Sequence, residues 1–260
     1  MGLCKAMDEA VQKYLRTATY PVAVKLLDSE EQFPPRTRRP LRDMGHRINL
    51  CQGIALARRY GWVMGFGRED HACANSMVIM GLVEVPEFIE NGSIVAGPYT
   101  DNLEHGAVTQ AVTPRSERPL SAILVAPLQK ADFEPDVVLV YCNPGQAVRL
   151  VQAELYDQGG SLESRFMGRC ACGTELVTTL QTGRCQVVVP GGGEKAFGML
   201  ADDEMVVAIP GARVQAVMDG LAATHKAGAN RCPAPYFGLQ AEPQFPGIYA
   251  ELERYVGLRD

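Results

Sequence analysis

The run Val137-Val-Leu-Val-Tyr-Cys142 passes directly into Asn143-Pro144-Gly145, and no other segment constrains the fold as tightly. A short Val-rich run bounded by a turn signal suits a buried strand. Asn at the cap and Pro in the first turn then start a helix. Ala147, Leu150, Val151 and Leu155 give that helix an apolar stripe, and Gly159-Gly160 ends it. A similar unit follows: a strand over 185–189, the turn Pro190-Gly-Gly-Gly193, a short helix through Phe197 and a strand over 204–209. The helix opened by Pro210 lines up Val214, Val217, Met218 and Leu221 on one side, although no sequence repeat joins the two units.

Earlier segments fit the same plan. An amphipathic helix opens the chain, with Ala10, Val11, Tyr14 and Leu15 on one face. Pro21 to Leu27 reads as a buried strand, and 29–46 as a charged, Pro-rich excursion. Helices are expected over 47–59 and 71–82, joined by the glycine-bearing segment Gly61 to Gly67. On the second helix Cys73, Met77 and Met80 fall on one face. Strands are expected over 121–127 and 136–142, and an irregular, Pro-rich tail over 230–246. The fold class is α/β, with mixed α+β as the alternative: a layered sheet with flanking helices. A chain of 260 residues suits one domain, or two intimately joined αβ halves over 1–115 and 116–260.

A net charge of −5 argues against a nucleic-acid binder. The basic cluster Arg36, Arg38, Arg39 and Arg42 reads first as a solvated loop, with anion binding the weaker reading. Neither a secretion signal nor a membrane-spanning apolar run is visible, so a cytoplasmic setting is expected.

In such a reducing setting the eight cysteines point to metal ligation or reactivity before disulfides. Cys51 and Cys73 fall on the two neighbouring helices. Cys170 and Cys172 flank Ala171 in a Gly- and Thr-rich segment, and Cys185 follows after 12 intervening residues. Thiolates suit an iron–sulfur cluster or zinc, and four are the usual complement. The expected metal set is Cys51, Cys73 and Cys185 with one of Cys170 or Cys172. Scattered, structural thiols are the competing reading. Cys232, in a proline turn, is a lesser candidate, Cys142 reads as core, and Cys4 as a mobile terminus.

Gly191, Gly192 and Gly193 invite an anion-binding reading, since a glycine run between strand and helix exposes amides. The full phosphate-loop spacing is absent, and a tight turn explains the same residues. His71, two residues before Cys73, is a candidate ligand or proton donor, or a polar cap. His105 with Asp101 and Glu104 forms a second acid–base candidate, or a loop that meets solvent.

Three stretches carry a resemblance: Pro21-Val-Ala-Val-Lys25, the span from Cys51 to Cys73, and the span from Cys170 through the glycines to Asp202-Asp-Glu-Met205 and Ile209-Pro210. Over roughly residues 10–225 the chain resembles the DUF169 family of bacterial and archaeal proteins. The resemblance implies a prokaryotic cytoplasmic protein with recurrent cysteines, and it carries over no catalytic residues. The functional expectation is an iron–sulfur protein with a redox or substrate-binding role and a redox partner. The alternatives are a small-molecule binding module, its pocket near Tyr99, Asp101, His105 and the glycine turn, or a zinc-stabilised structural protein. A homo-oligomer fits any of these.

Overall fold

The structure, a computed structural model, describes residues 2–229 and 247–258. Six strands form one sheet: β1 (Val22–Leu27), β2 (Met64–Gly67), β3 (Ala122–Pro127), β4 (Val137–Cys142), β5 (Gln186–Val188) and β6 (Met205–Pro210). Their order is β2-β3-β1-β4-β6-β5, and every pairing is antiparallel. The protein is therefore a mixed α+β fold with a layered sheet. β1 lies between β3 and β4, pairing Val22 with Pro127 on one side and with Leu139 on the other. Strands from residues 1–115 and 116–260 thus interleave within one sheet.

The strands are apolar on both faces because both faces are covered. Side chains alternate along a strand, so Val137, Leu139 and Tyr141 enter one core while Val138, Val140 and Cys142 enter the other. The second core is closed by α1 (Leu3–Tyr14), α6 (Pro144–Glu154) and α9 (Val214–Lys226). Asn143 caps α6 as its sequence requires, its side chain accepting from the Gln146 N–H at 2.9 Å. The α6–α9 crossing is so close that a Cβ on Gly220 would stand 2.1 Å from the Ala153 carbonyl oxygen, which excludes any larger residue there.

The first core lies under α2 (Leu50–Tyr60), whose Leu50, Ile54 and Ala57 meet Phe66, Ile123 and Val125. The expected helix over 71–82 is shorter, running as α3 (Ala74–Ile79) with Cys73 at its cap rather than on its face. Gly81 adopts a left-handed φ of 74°, which turns the chain away. Two further helices, α4 (Glu87–Glu90) and α5 (Leu103–Ala111), occupy a stretch the sequence left unassigned. Next come a π-type turn over 173–177, then α7 (Thr178–Thr182) and α8 (Gly192–Phe197). α10 (Ala250–Tyr255) follows the tail expected at 230–246, which lies outside the described residues.

Candidate functional site

On the α2 side of the sheet, a cavity of about 300 Å³ opens among the first turn of α2, the cap of α3, the loop at 168–172 and the start of α8. Cys51, Cys73, Cys170 and Cys172 all line it. The first turn of α2 is fixed by Gln52, whose side chain accepts from the Asn49 N–H at 2.8 Å, and this sets Cys51 toward the Gly193 carbonyl. Cys73 caps α3 by accepting from the Ser76 N–H at 3.4 Å. Cys170 takes a left-handed φ of 55°, uncommon for a residue with a side chain, and its sulfur accepts from the Asn75 amide at 3.1 Å.

Burial pushes the Cys51 thiol up to about 12, with Glu194 and Cys73 adding to the rise. Cys170 is raised by burial and by Cys73, and Cys172 far more so, by burial and by Cys170 and Cys73. Without a metal, Cys51, Cys170 and Cys172 are protonated, weakly reactive thiols.

Cys185 does not join them. It lies 1% exposed in the opposite core with Val138, Val140 and Ile209, where burial and the neighbouring Glu154 raise its thiol strongly. Cys142 is core, as its strand position requires. Cys4 is no loose terminus: it is buried on α1, and its thiol donates to the Phe133 carbonyl at 3.4 Å. Cys232 lies outside the described residues. Among the described residues, no three His, Cys, Asp or Glu side chains are placed to hold one metal ion.

Gly191 and Gly193 line the cavity, but Gly191 has a steric reason of its own: a Cβ there would stand 2.5 Å from the Arg169 Cα. The glycine run lets α8 close against the 168–172 loop, with Gly192 N–H donating to the Gly168 carbonyl at 3.3 Å. His71 is buried against the Phe66 ring, outside the cavity lining, and burial pushes it down to about 4. His105 and Asp101 form an exposed pair at 2.6 Å, also outside the lining, whereas Tyr99 does line the cavity.

The sequence reading missed the carboxyl pair in this site. Glu175 is fully buried and Glu194 nearly so, and both line the cavity. The Tyr141 hydroxyl donates to Glu194 Oε1 at 2.5 Å. No donor reaches the Glu175 oxygens when both groups are ionised, and burial of two neighbouring carboxyls favours the protonated form of one. Burial, then the Glu194 charge, hold Glu175 well above its ordinary value. Burial also raises Glu194, opposed by hydrogen bonds from Tyr141 and Glu175 and by the Arg58 charge. A signal existed: Glu175 stands directly before the apolar Leu176-Val177, and Arg58 falls four residues after Ile54 on the buried stripe of α2.

The pair makes stability depend on pH. The native state holds the Glu175 proton more tightly than the unfolded chain, so its contribution is complete below about pH 4.5 and fades as pH rises toward the folded value. Glu175→Gln keeps the shape and cannot ionise. Urea denaturation of the variant from about pH 5, just above the ordinary carboxyl value, to about pH 9 is expected to show a shallower decline than the parent. An equally steep decline would place the titration elsewhere.

No described helix is long and apolar enough to cross a membrane. An uncharacterized protein of the archaeon Methanocaldococcus jannaschii is 28% identical over 204 residues, covering 77% of this chain and 85% of the relative. No solved structure matches. The model of the DUF169 family, described as "Uncharacterised ArCR", matches residues 10–220, and the chain belongs to that family.

Proposed function

We propose that Cys51, Cys73, Cys170 and Cys172 hold an iron–sulfur cluster, and that the protein is a cytoplasmic iron–sulfur protein with a redox or substrate-binding role. The observation that carries this reading is the convergence of four soft donors, from three separated stretches of chain, on one cavity of about 300 Å³. Thiolates suit an iron–sulfur cluster or zinc alike, and metal and sulfide analysis separates the two.

A bound cluster supplies one-electron transfer, or Lewis acidity where one iron keeps an open site. The chain's own groups would then act on it in known ways. The Asn75 amide donates to the Cys170 sulfur, and hydrogen bonds to ligand sulfur raise a cluster's potential. Ile54 and Phe197 add apolar surface to the cavity lining. Metal binding draws the protons off the buried thiols, so loading should improve as pH rises. The described cysteines are all free thiols, in keeping with a reducing cytoplasm.

The test is anaerobic purification and reconstitution, followed by iron and acid-labile sulfide analysis and a visible spectrum. Cys73→Ala is expected to reduce iron to background. Cys185→Ala, altered on the far side of the sheet, should retain the parent's iron. A colourless, iron-free parent protein would overturn the proposal, and so would equal iron loss in both variants. Zinc without sulfide would favour the zinc-stabilised reading.

A second reading is favoured by the unpartnered Arg169 Nε and by Glu175, whose oxygens have only the Glu194 carboxyl beside them; both residues line the same cavity. Such atoms suit a small polar ligand, with the thiols as packing residues. Cys51→Ser combined with Cys73→Ser should then leave any small molecule that copurifies, identified by mass spectrometry after denaturation, at the parent's level.

A further inference from the structure

At the other end of α2, about 15 Å along the helix from Cys51, the chain builds a second concave surface. Two adjoining grooves of about 620 and 380 Å³ share Pro35, Arg36, Thr37, Arg38 and Trp62. Arg36, Arg38 and Arg42 are exposed, as a solvated loop expects, but the backbone of Arg38 is fixed. Its N–H donates to the Val63 carbonyl and its own carbonyl accepts from the Gly65 N–H, each at 2.9 Å, so the residue is sewn to the edge of β2. Its guanidinium lies 3.9 Å over the Trp62 ring.

The charge balance here opposes that of the whole chain. Arg36, Arg38, Arg42 and Lys130 line the two grooves, against Asp43 and Asp132, in a protein of net charge −5. Asp43 is already engaged, accepting from Arg42 at 2.7 and 2.8 Å and from the Arg39 N–H at 2.6 Å. Among the described residues, the side chains of Arg36 and Arg38 make no hydrogen bond or ion pair, while Lys130 spends one donor on the Gly61 carbonyl at 2.7 Å. Thr37 lines both grooves at 4% exposure, and its hydroxyl has no partner.

We propose that these grooves bind a small anion carrying a planar ring, of the chemical class of a nucleoside monophosphate. The stacked guanidinium and indole form a flat platform of the kind on which ring systems stack. Arg36 and Lys130 present free donors to a phosphate, and charge-assisted bonds of that type are the strong ones. Pro34, Pro35 and Phe133 supply an apolar wall. The larger groove falls in the usual size range of small-molecule sites. The site shares no residue with the thiol cavity, so it stands or falls independently of the cluster.

The chain has one tryptophan, and it lies in this site, so its fluorescence reports occupancy directly. The full chain is titrated with AMP, adenosine and inorganic phosphate at constant ionic strength. AMP is expected to give a saturable change, with adenosine and phosphate each weaker by roughly tenfold or more, the equivalent of losing one good contact. Arg36→Ala combined with Lys130→Ala keeps the Arg38–Trp62 stack and should weaken AMP by at least roughly tenfold, without altering the iron content. Arg38→Lys keeps the charge and loses the plane, and should remove the preference for AMP over phosphate, read by equilibrium dialysis. The proposal is overturned if no probe saturates, if AMP acts only as added salt does, if phosphate alone binds as tightly as AMP, or if the double variant binds as the parent does.

Discussion

Arg58→Ala is expected to destabilise the protein by about 3–5 kcal/mol, the usual consequence of removing one partner from a buried ion pair. The Arg58 side chain is fully buried on α2 and reaches Glu204 at 2.8 and 3.1 Å. It also donates to the carbonyls of Gly198 and Met199, at 3.3 and 2.9 Å, and lies 4.1 Å over the Tyr141 ring. Its charge opposes the rise of Glu175 and of Glu194. Truncation would therefore leave Glu204 with only Arg59 and the Ala201 N–H, take the Arg58 donor from the Gly198 carbonyl and one of two donors from the Met199 carbonyl, and remove a cation that opposes the rise of the carboxyl pair. Urea denaturation at neutral pH measures the loss. Arg58→Met with Glu204→Gln removes both charges while filling the volume, and should recover a substantial part of it. A loss below about 1 kcal/mol in Arg58→Ala would show that water reaches the pair and screens it.

Asp70→Ala should cost a similar amount, about 3–5 kcal/mol, through different geometry. Asp70 is 1% exposed and accepts three hydrogen bonds: from Arg39 Nε at 2.6 Å, the Leu41 N–H at 3.1 Å and the Gly67 N–H at 2.9 Å. One carboxylate thus ties the start of the 40–44 turn to the end of β2. Without it, two backbone N–H groups lose their acceptor and Arg39 keeps only the more exposed Glu30, at 2.8 Å. Thermal denaturation should show the loss, and limited proteolysis should cut faster within 34–44. Asp70→Asn preserves an accepting oxygen and should fall between the two. If Asn is as harmful as Ala, the charge matters more than the backbone contacts.

Local structure was legible wherever the signals were local. Asn143 and Pro144 start α6 through contacts with residues three positions away, so the strand–cap–helix junction could be read directly. Strand direction was not, because pairing depends on residues far along the chain. The convergence of Cys51, Cys73, Cys170 and Cys172 rests on such pairings as well, although the thiols themselves were plain to see. Cys185 failed for a related reason. It stands one residue before β5, and a shift of one position along a strand reverses the face on which a side chain lands. Glu175, Glu194 and Arg58 escaped notice because charged residues are ordinarily exposed, and only the assembled fold reveals what balances them.

The place of β1 has a consequence for how the chain is made. Its residues leave the ribosome early, yet Leu27 must wait for Ala122, 95 positions later, and Val24 for Val137. Until then a ribbon greasy on both sides has no neighbour, and nascent chains stopped short of residue 142 hold a half-built sheet. Such distant closures slow acquisition of the native state, so synthesis, rather than the finished molecule, is where this protein most needs protection from clumping.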